Sequence, residues 1–261
     1  MSITEQTQTS GHFRLLKHPF PMKALFRNYF LVNFAVAPEV LQALLPTPLT
    51  PALHNGSAFL AVVIADMDRM RPAFLSRVLG VSYRQVAYRA IVECEGERGV
   101  YFLRSDADND LMCRLGNLMS DFRFHFADIA HEQSETAFRY DLTSYSEDPA
   151  DIHALFDLTQ TSHTLPPTSR FASLPEAQKF LVELYTAFVV NGPHVKIRTL
   201  RVERGALDIT VVPDRTQVYE FMQCSPAFPE GSASIDSIFY IGTLPYYWHR
   251  LKAYQLHERQ K

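Results

Sequence analysis

The segment 83–129 constrains this chain most, because one short run holds two strands joined by a turn, then a helix and a third strand. Residues 83–93 alternate: Tyr83, Gln85, Ala87, Arg89, Ile91 and Glu93 share one face, and Arg84, Val86, Tyr88, Ala90 and Val92 the other. Glu95-Gly96-Glu97-Arg98-Gly99 turns the chain back into a strand over 100–105, which predicts a β-hairpin. Asp106 or Asp108 is placed to cap a helix over 107–119, with Leu111, Leu115, Leu118 and Met119 on its apolar face. A strand over 122–129 closes the run, and no lysine occurs anywhere in it.

The flanking sequence adds strands faster than helices. Residues 26–36 alternate as a strand, and Pro38 opens a short helix that Pro46 and Pro48 end. The unbroken apolar run 58–65 reads as a strand buried on both faces. Residues 67–79 read as a loop with a short helix. Further strands are predicted over 122–130, 136–143, 195–202, 206–212 and 234–241. Helices are predicted after Asp148-Pro149, behind the capping box Ser173-Leu174-Pro175-Glu176, and over 244–258 with the only tryptophan, Trp248. Strands and helices that do not strictly alternate predict an α+β fold on a mainly antiparallel sheet. The expected organisation is a flexible tail over 1–11 and one domain over 12–261 ending in that helix.

Composition narrows the function. Apolar residues are 47% of the 261 and the net charge is −3, with no basic run, which argues against a nucleic-acid partner. The longest apolar run is far short of the roughly 20 residues that span a bilayer, so no membrane role is expected. The N-terminus lacks an apolar signal segment, and Cys94, Cys113 and Cys224 read as buried free thiols, which together fit the cytoplasm. Asp106-Ala107-Asp108-Asn109-Asp110 starts like a calcium loop, but Leu111 and Asn117 stand where Gly and Glu are required, so it reads as a helix start. His125 and His131 are too far apart along a strand for one metal, and neither a metal nor a cofactor is implied. Arg89 stands among apolar neighbours, where it pairs either with Glu93 or another acid, or with a substrate carboxylate.

Four segments carry a family resemblance: Phe26-Arg27-Asn28-Tyr29-Phe30 with Pro38-Glu39-Val40-Leu41; Gly56-Ser57-Ala58-Phe59-Leu60; Gln85-Val86-Ala87-Tyr88-Arg89 with Gly99-Val100-Tyr101-Phe102-Leu103; and Phe180-Leu181-Val182-Glu183-Leu184-Tyr185. Over about residues 20–215 the chain resembles the acetoacetate-decarboxylase-like superfamily, and within it a bacterial family of unknown function. The resemblance implies an antiparallel sheet curled into a cone or partial barrel with peripheral helices, around an apolar pocket. In the decarboxylase a pocket arginine, a strand carboxylate and a lysine pair act together, one lysine forming a Schiff base with a keto acid. By resemblance Arg27 takes the arginine position, Gln85 replaces the carboxylate, and Arg123 and His125 fall where the lysine pair belongs. Arginine keeps its proton and forms no useful imine, so the Schiff-base route is not expected. The chain also departs from the family at Ala87 and Leu184, where Asn and Arg are usual.

The leading expectation is therefore a pocket binding a small organic anion or amphipathic metabolite through Arg27, Gln85, Arg89, Arg123 or His125, without Schiff-base chemistry. Two alternatives stand beside it: a lysine-independent lyase or hydrolase with His125 as acid or base, and a structural or protein-interaction module. The small-molecule ligand is the one partner expected, and the oligomeric state is left open between monomer and homo-oligomer.

Overall fold

The computed structural model describes residues 19–191, 196–214 and 217–254, and the expected tail over 1–11 lies outside them. β1 (Met22–Val36) leads through α1 (Pro38–Ala43) and β2 (Thr50–Pro51) to β3 (Ala58–Pro72). β4 (Val81–Cys94) and β5 (Glu97–Ala107) are the hairpin, followed by α2 (Asp110–Met119). β6 (Phe124–Gln133), β7 (Ala137–Ser144) and β8 (Ile152–Asp157) form an antiparallel meander. After α3 (Leu174–Ala177) come β9 (Thr186–Asn191), β10 (Lys196–Arg204), β11 (Thr210–Val212) and β12 (Val218–Tyr219). α4 (Glu220–Gln223), β13 (Ala233–Trp248) and β14 (Lys252–Ala253) complete the described elements.

Hydrogen bonding runs round a circuit from β1 through β3, β4, β5, β9, β10 and β13 back to β1. The ring is not a barrel: β5 meets β9 through the single parallel pair Val100–Ala187, whereas β1 pairs along its length with β3 and β13. Gly99 permits that closure, since a Cβ there would lie 2.4 Å from the Thr186 carbonyl oxygen. The C-terminal half of β5 pairs in parallel with β6, so the β6–β7–β8 meander leaves the ring as an outer layer.

This topology buries both faces of β1, β3 and β4. Tyr29, Leu31, Phe59, Ala61, Val63 and Ala87 join the core inside the ring. Their alternate neighbours Phe30, Val32, Phe34, Leu60, Val62 and Tyr88 join a second core beneath the outer layer. Phe30 stacks on Phe156 of β8 with ring centroids 4.0 Å apart. Two-sided burial is why the run 58–65 lacks polar residues.

Several elements differ from the sequence reading. The expected C-terminal helix is instead strand through Trp248, because Leu244, Tyr246 and Trp248 alternate inward and Pro245 cannot sit in a helix interior. The helix expected after Pro149 is β8, whose Ile152, Ala154 and Phe156 are buried with period two. The capping box does form, with Ser173 Oγ accepting from Glu176 N, but the helix ends after α3 and one π turn and gives way to β9. The stretch read as a loop from 67 belongs to β3 as far as Pro72. The hairpin turn is tighter than expected: Cys94 pairs with Glu97, and Glu95 and Gly96 both take positive φ, as a two-residue type I′ turn requires. Asn109, not Asp106 or Asp108, caps α2, its side chain accepting from Met112 N at 2.9 Å. That helix turns Met112, Cys113 and Gly116 inward; of the expected apolar face Leu115 is half-buried and Met119 lines the cavity inside the ring, while Leu111 and Leu118 face solvent. Gly116 sets this orientation, for a Cβ there would lie 2.5 Å from the Phe124 ring. Cys94 and Cys113 are buried thiols as expected, whereas Cys224 is exposed.

Candidate functional site

The ring encloses a cavity of about 110 Å³ between β1, β3, β4 and β13, with α2 and the segment after it across one side. Phe26, Val63, Phe102, Phe122, Phe124 and Trp248 make most of its wall apolar. The inward face of β4 supplies Tyr83, Gln85, Ala87 and Arg89, as the alternation of 83–93 predicts. β1 adds Tyr29 and β13 adds Tyr246. Among the described residues no lysine lines the cavity.

Among the described residues Arg89 is the one charged side chain in the wall. It is 8% exposed, its Nη2 donates to the Tyr29 hydroxyl at 3.4 Å, and its buried Nε has no partner. Among the described residues no carboxylate pairs with it, so the expected ion pair with Glu93 or an acid on a neighbouring strand does not form. A buried cation without a counter-ion is costly, and a carboxylate entering from the cavity would offset that cost. Gln85 lies four residues away, roughly 13 Å along the strand. Its Oε1 accepts from the Tyr83 hydroxyl at 3.5 Å. Burial pushes the Tyr83 phenol above its usual range, with Cys113 and Asp108 adding to the effect. Tyr246 is also raised, by burial first, against the pull of Arg204 and Arg89. Both phenols therefore stay protonated at neutral pH and can donate to an anion.

The other residues picked from sequence lie elsewhere. Between Phe26 and Tyr29 the register of β1 shifts, with Asn28 at φ 48°, so both aromatic residues point inward while Arg27 turns out. Arg27 pairs with Asp68 at 3.2 Å and is half exposed. Arg77 at 2.9 Å shares that carboxylate; burial opposes the two arginines, which hold it below its usual range. Phe122 and Phe124 face the cavity, and the residues between and after them, Arg123 and His125, are exposed. Arg123 donates to the Tyr101 hydroxyl at 2.7 Å and to the Leu103 carbonyl at 3.4 Å. His125 is held below its usual range by burial first and then by Arg104, with Asp106 and Asp148 opposing. The stretch expected to carry the lysine-pair counterparts thus presents two aromatic rings to the cavity.

The calcium-like stretch is fully engaged in the protein. Asp106 accepts a bidentate pair of bonds from Arg104, at 2.8 and 2.7 Å, and Asp108 pairs with Arg84 at 3.0 Å. Asp110 pairs with Arg114, one turn on. Among the described residues no three His, Cys, Asp or Glu side chains are grouped to hold a metal. Tyr29, Tyr246, Trp248 and the cover given by α2 were not legible as site residues. Tyr29 follows the bulge, and Tyr246 and Trp248 fall in the segment whose alternation was read as helix.

A ring of mainly antiparallel strands with an outer meander and an enclosed apolar cavity is the acetoacetate-decarboxylase-like fold. Acetoacetate decarboxylase from Legionella pneumophila superposes with a TM-score of 0.63, covering 92% of this chain and 90% of that one at 13% identity. The enduracididine biosynthesis enzyme MppR complexed with pyruvate gives 0.61, covering 94% of both chains at 12% identity. An acetoacetate decarboxylase-like enzyme from Sphingomonas wittichii gives 0.62, covering 90% of this chain and 93% of the other at 10% identity. These likenesses show the fold. The chain belongs to the family DUF2071, an uncharacterized conserved protein, whose pattern matches residues 23–219. The uncharacterized protein YqjF of Bacillus subtilis is 23% identical over 136 residues, which span 52% of this chain and 56% of YqjF. No helix among the described residues is long and apolar enough to cross a membrane.

Proposed function

We propose that this protein binds the carboxylate of a small organic acid non-covalently in the ring cavity, with Arg89 as the anchor. The observation that carries this reading is a buried guanidinium, without a carboxylate partner among the described residues, in the wall of an otherwise apolar cavity. Tyr29 and Tyr246 stand near it as hydrogen-bond donors, and the aromatic wall takes the hydrocarbon part of the ligand. A dry cavity of roughly 150 Å³ holds benzene. The 110 Å³ here suits an acid of a few heavy atoms. Pyruvate, named with one of the fold neighbours, is of that size. No lysine is among the described residues of the wall, which disfavours Schiff-base decarboxylation at this cavity. His125, the base named for the lyase or hydrolase alternative, is outside the described lining, which favours binding over that reading. An interaction module would need no cavity at all.

Calorimetric titration with pyruvate and related keto and hydroxy acids tests the proposal. Arg89→Met should weaken binding about 10- to 100-fold, the worth of a charge-assisted hydrogen-bond pair at about 1.5–3 kcal/mol. Borohydride treatment of the saturated protein should leave its mass unchanged. Equal affinity in the variant, or a reduced adduct on a lysine, contradicts the reading.

A further inference from the structure

A second cleft, of about 490 Å³, opens beside the ring where β1, β3, β10 and β13 meet, with Tyr246 in the wall of both cavities. Its charges do not balance. Lys23, Arg71, Arg77 and Arg204 line it against Asp68 and Glu203. Both acids are already engaged: Asp68 accepts from Arg27 and Arg77, and Glu203 pairs with His249 at 2.7 Å. Arg71 spends its donors on the Leu75 and Arg69 carbonyls, which leaves its charge uncancelled. Arg204 donates to the Val182 carbonyl, lies over the Tyr185 ring, and has a buried Nε without a partner. Among the described residues Lys23 meets only the Tyr247 ring, 5.7 Å from its ammonium.

The register sharpens the imbalance. Lys23 is directly opposite Arg71 in the β1–β3 ladder, so two like charges project from one face at neighbouring positions. Such a cross-strand pair is destabilising unless an anion lies between them. We infer that this cleft is an anion site for the phosphate group of a small phosphorylated ligand. Three cations, Lys23, Arg71 and Arg204, without carboxylate partners among the described residues call for more than one negative charge, which a phosphate monoester or a pyrophosphate supplies and a monocarboxylate does not. The volume exceeds that of a bare phosphate and lies in the range of small-metabolite pockets. This inference does not depend on what occupies the ring cavity.

Titration of the full chain with pyrophosphate and with glycerol phosphate tests it, alongside Lys23→Met and Arg89→Met. Wild type and Arg89→Met should bind pyrophosphate alike, and Lys23→Met about tenfold more weakly. Without anion, Lys23→Met should melt higher than wild type, because the like-charge pair is gone, and saturating pyrophosphate should narrow or reverse that gap. Lys23 is exposed, so the variant should fold. Capture by phosphatidic acid vesicles, whose headgroup is a phosphate monoester, with no response to glycerol phosphate would support the phosphate site and assign it to a lipid headgroup. No response of wild type to any of these at millimolar concentration, or equal binding by Lys23→Met, overturns the inference.

Discussion

Arg89 holds the chemical interest of this molecule because it breaks the rule that buried charges are paired. A cation kept in a core for stability alone would have an acid beside it, as Arg104 has Asp106. Replacing Arg89 by Met should therefore raise the stability of the ligand-free protein, by about 1 kcal/mol or more, while weakening carboxylate binding in the ring cavity. Denaturant unfolding of both proteins without ligand checks the sign, and a less stable variant would show that the guanidinium is structural. His131 gives a second prediction at this scale. It stacks on Tyr140 with centroids 4.6 Å apart and lies 3.6 Å from Asp66. Burial holds it below its usual range, with Asp66 opposing and Arg84 adding to the depression. A histidine with a lowered folded pKa binds fewer protons folded than unfolded. Its contribution is present above about pH 6.5 and is lost as pH falls through the folded value. His131→Phe should flatten the fall in melting temperature between about pH 6.5 and 5, read from melts across that range. An unchanged slope would assign the acid sensitivity to other groups.

At the scale of elements, the start of β6 and the residues leading into it decide which chemistry the cavity can support. Phe122 and Phe124 face it and Arg123 and His125 do not, so only the aromatic positions can deliver a nucleophile. Phe124→Lys should create a lysine whose reduced adduct with pyruvate appears in the mass spectrum, while His125→Lys should give none. The hairpin was legible because Gly96 and Gly99 mark its turn, and the inward face of β4 because Gln85 and Arg89 fall together on the face opposite Val86, Tyr88, Ala90 and Val92. That legibility extended to Gln85 and Arg89. It failed at Arg27, because a bulge that shifts the register has no signature in residues 26–30 beyond Asn28. It failed again after Gly242, where a dense apolar stretch fits either period and only Pro245 argues against a helix. The inward face of α2 was caught only at Leu115 and Met119, because small residues, Cys113 and Gly116, let the helix approach β6, so burial there does not follow hydrophobicity.

At the scale of the whole molecule, the ring depends on a narrow closure and the cavity depends on the ring. Gly99→Val would force β5 and β9 apart at their one shared pair and should cost about 1–3 kcal/mol by overpacking, with weaker anion binding as the wall shifts. Full affinity together with wild-type stability would show that the closure is dispensable. The most direct measurement is a crystal structure of the protein soaked with pyruvate. The account predicts a carboxylate bound to the Arg89 guanidinium inside the ring, its methyl group against the aromatic wall and no bond to any lysine. A ligand held by Arg27, Arg123 or His125, a covalent adduct, or an empty ring at saturating pyruvate would contradict it.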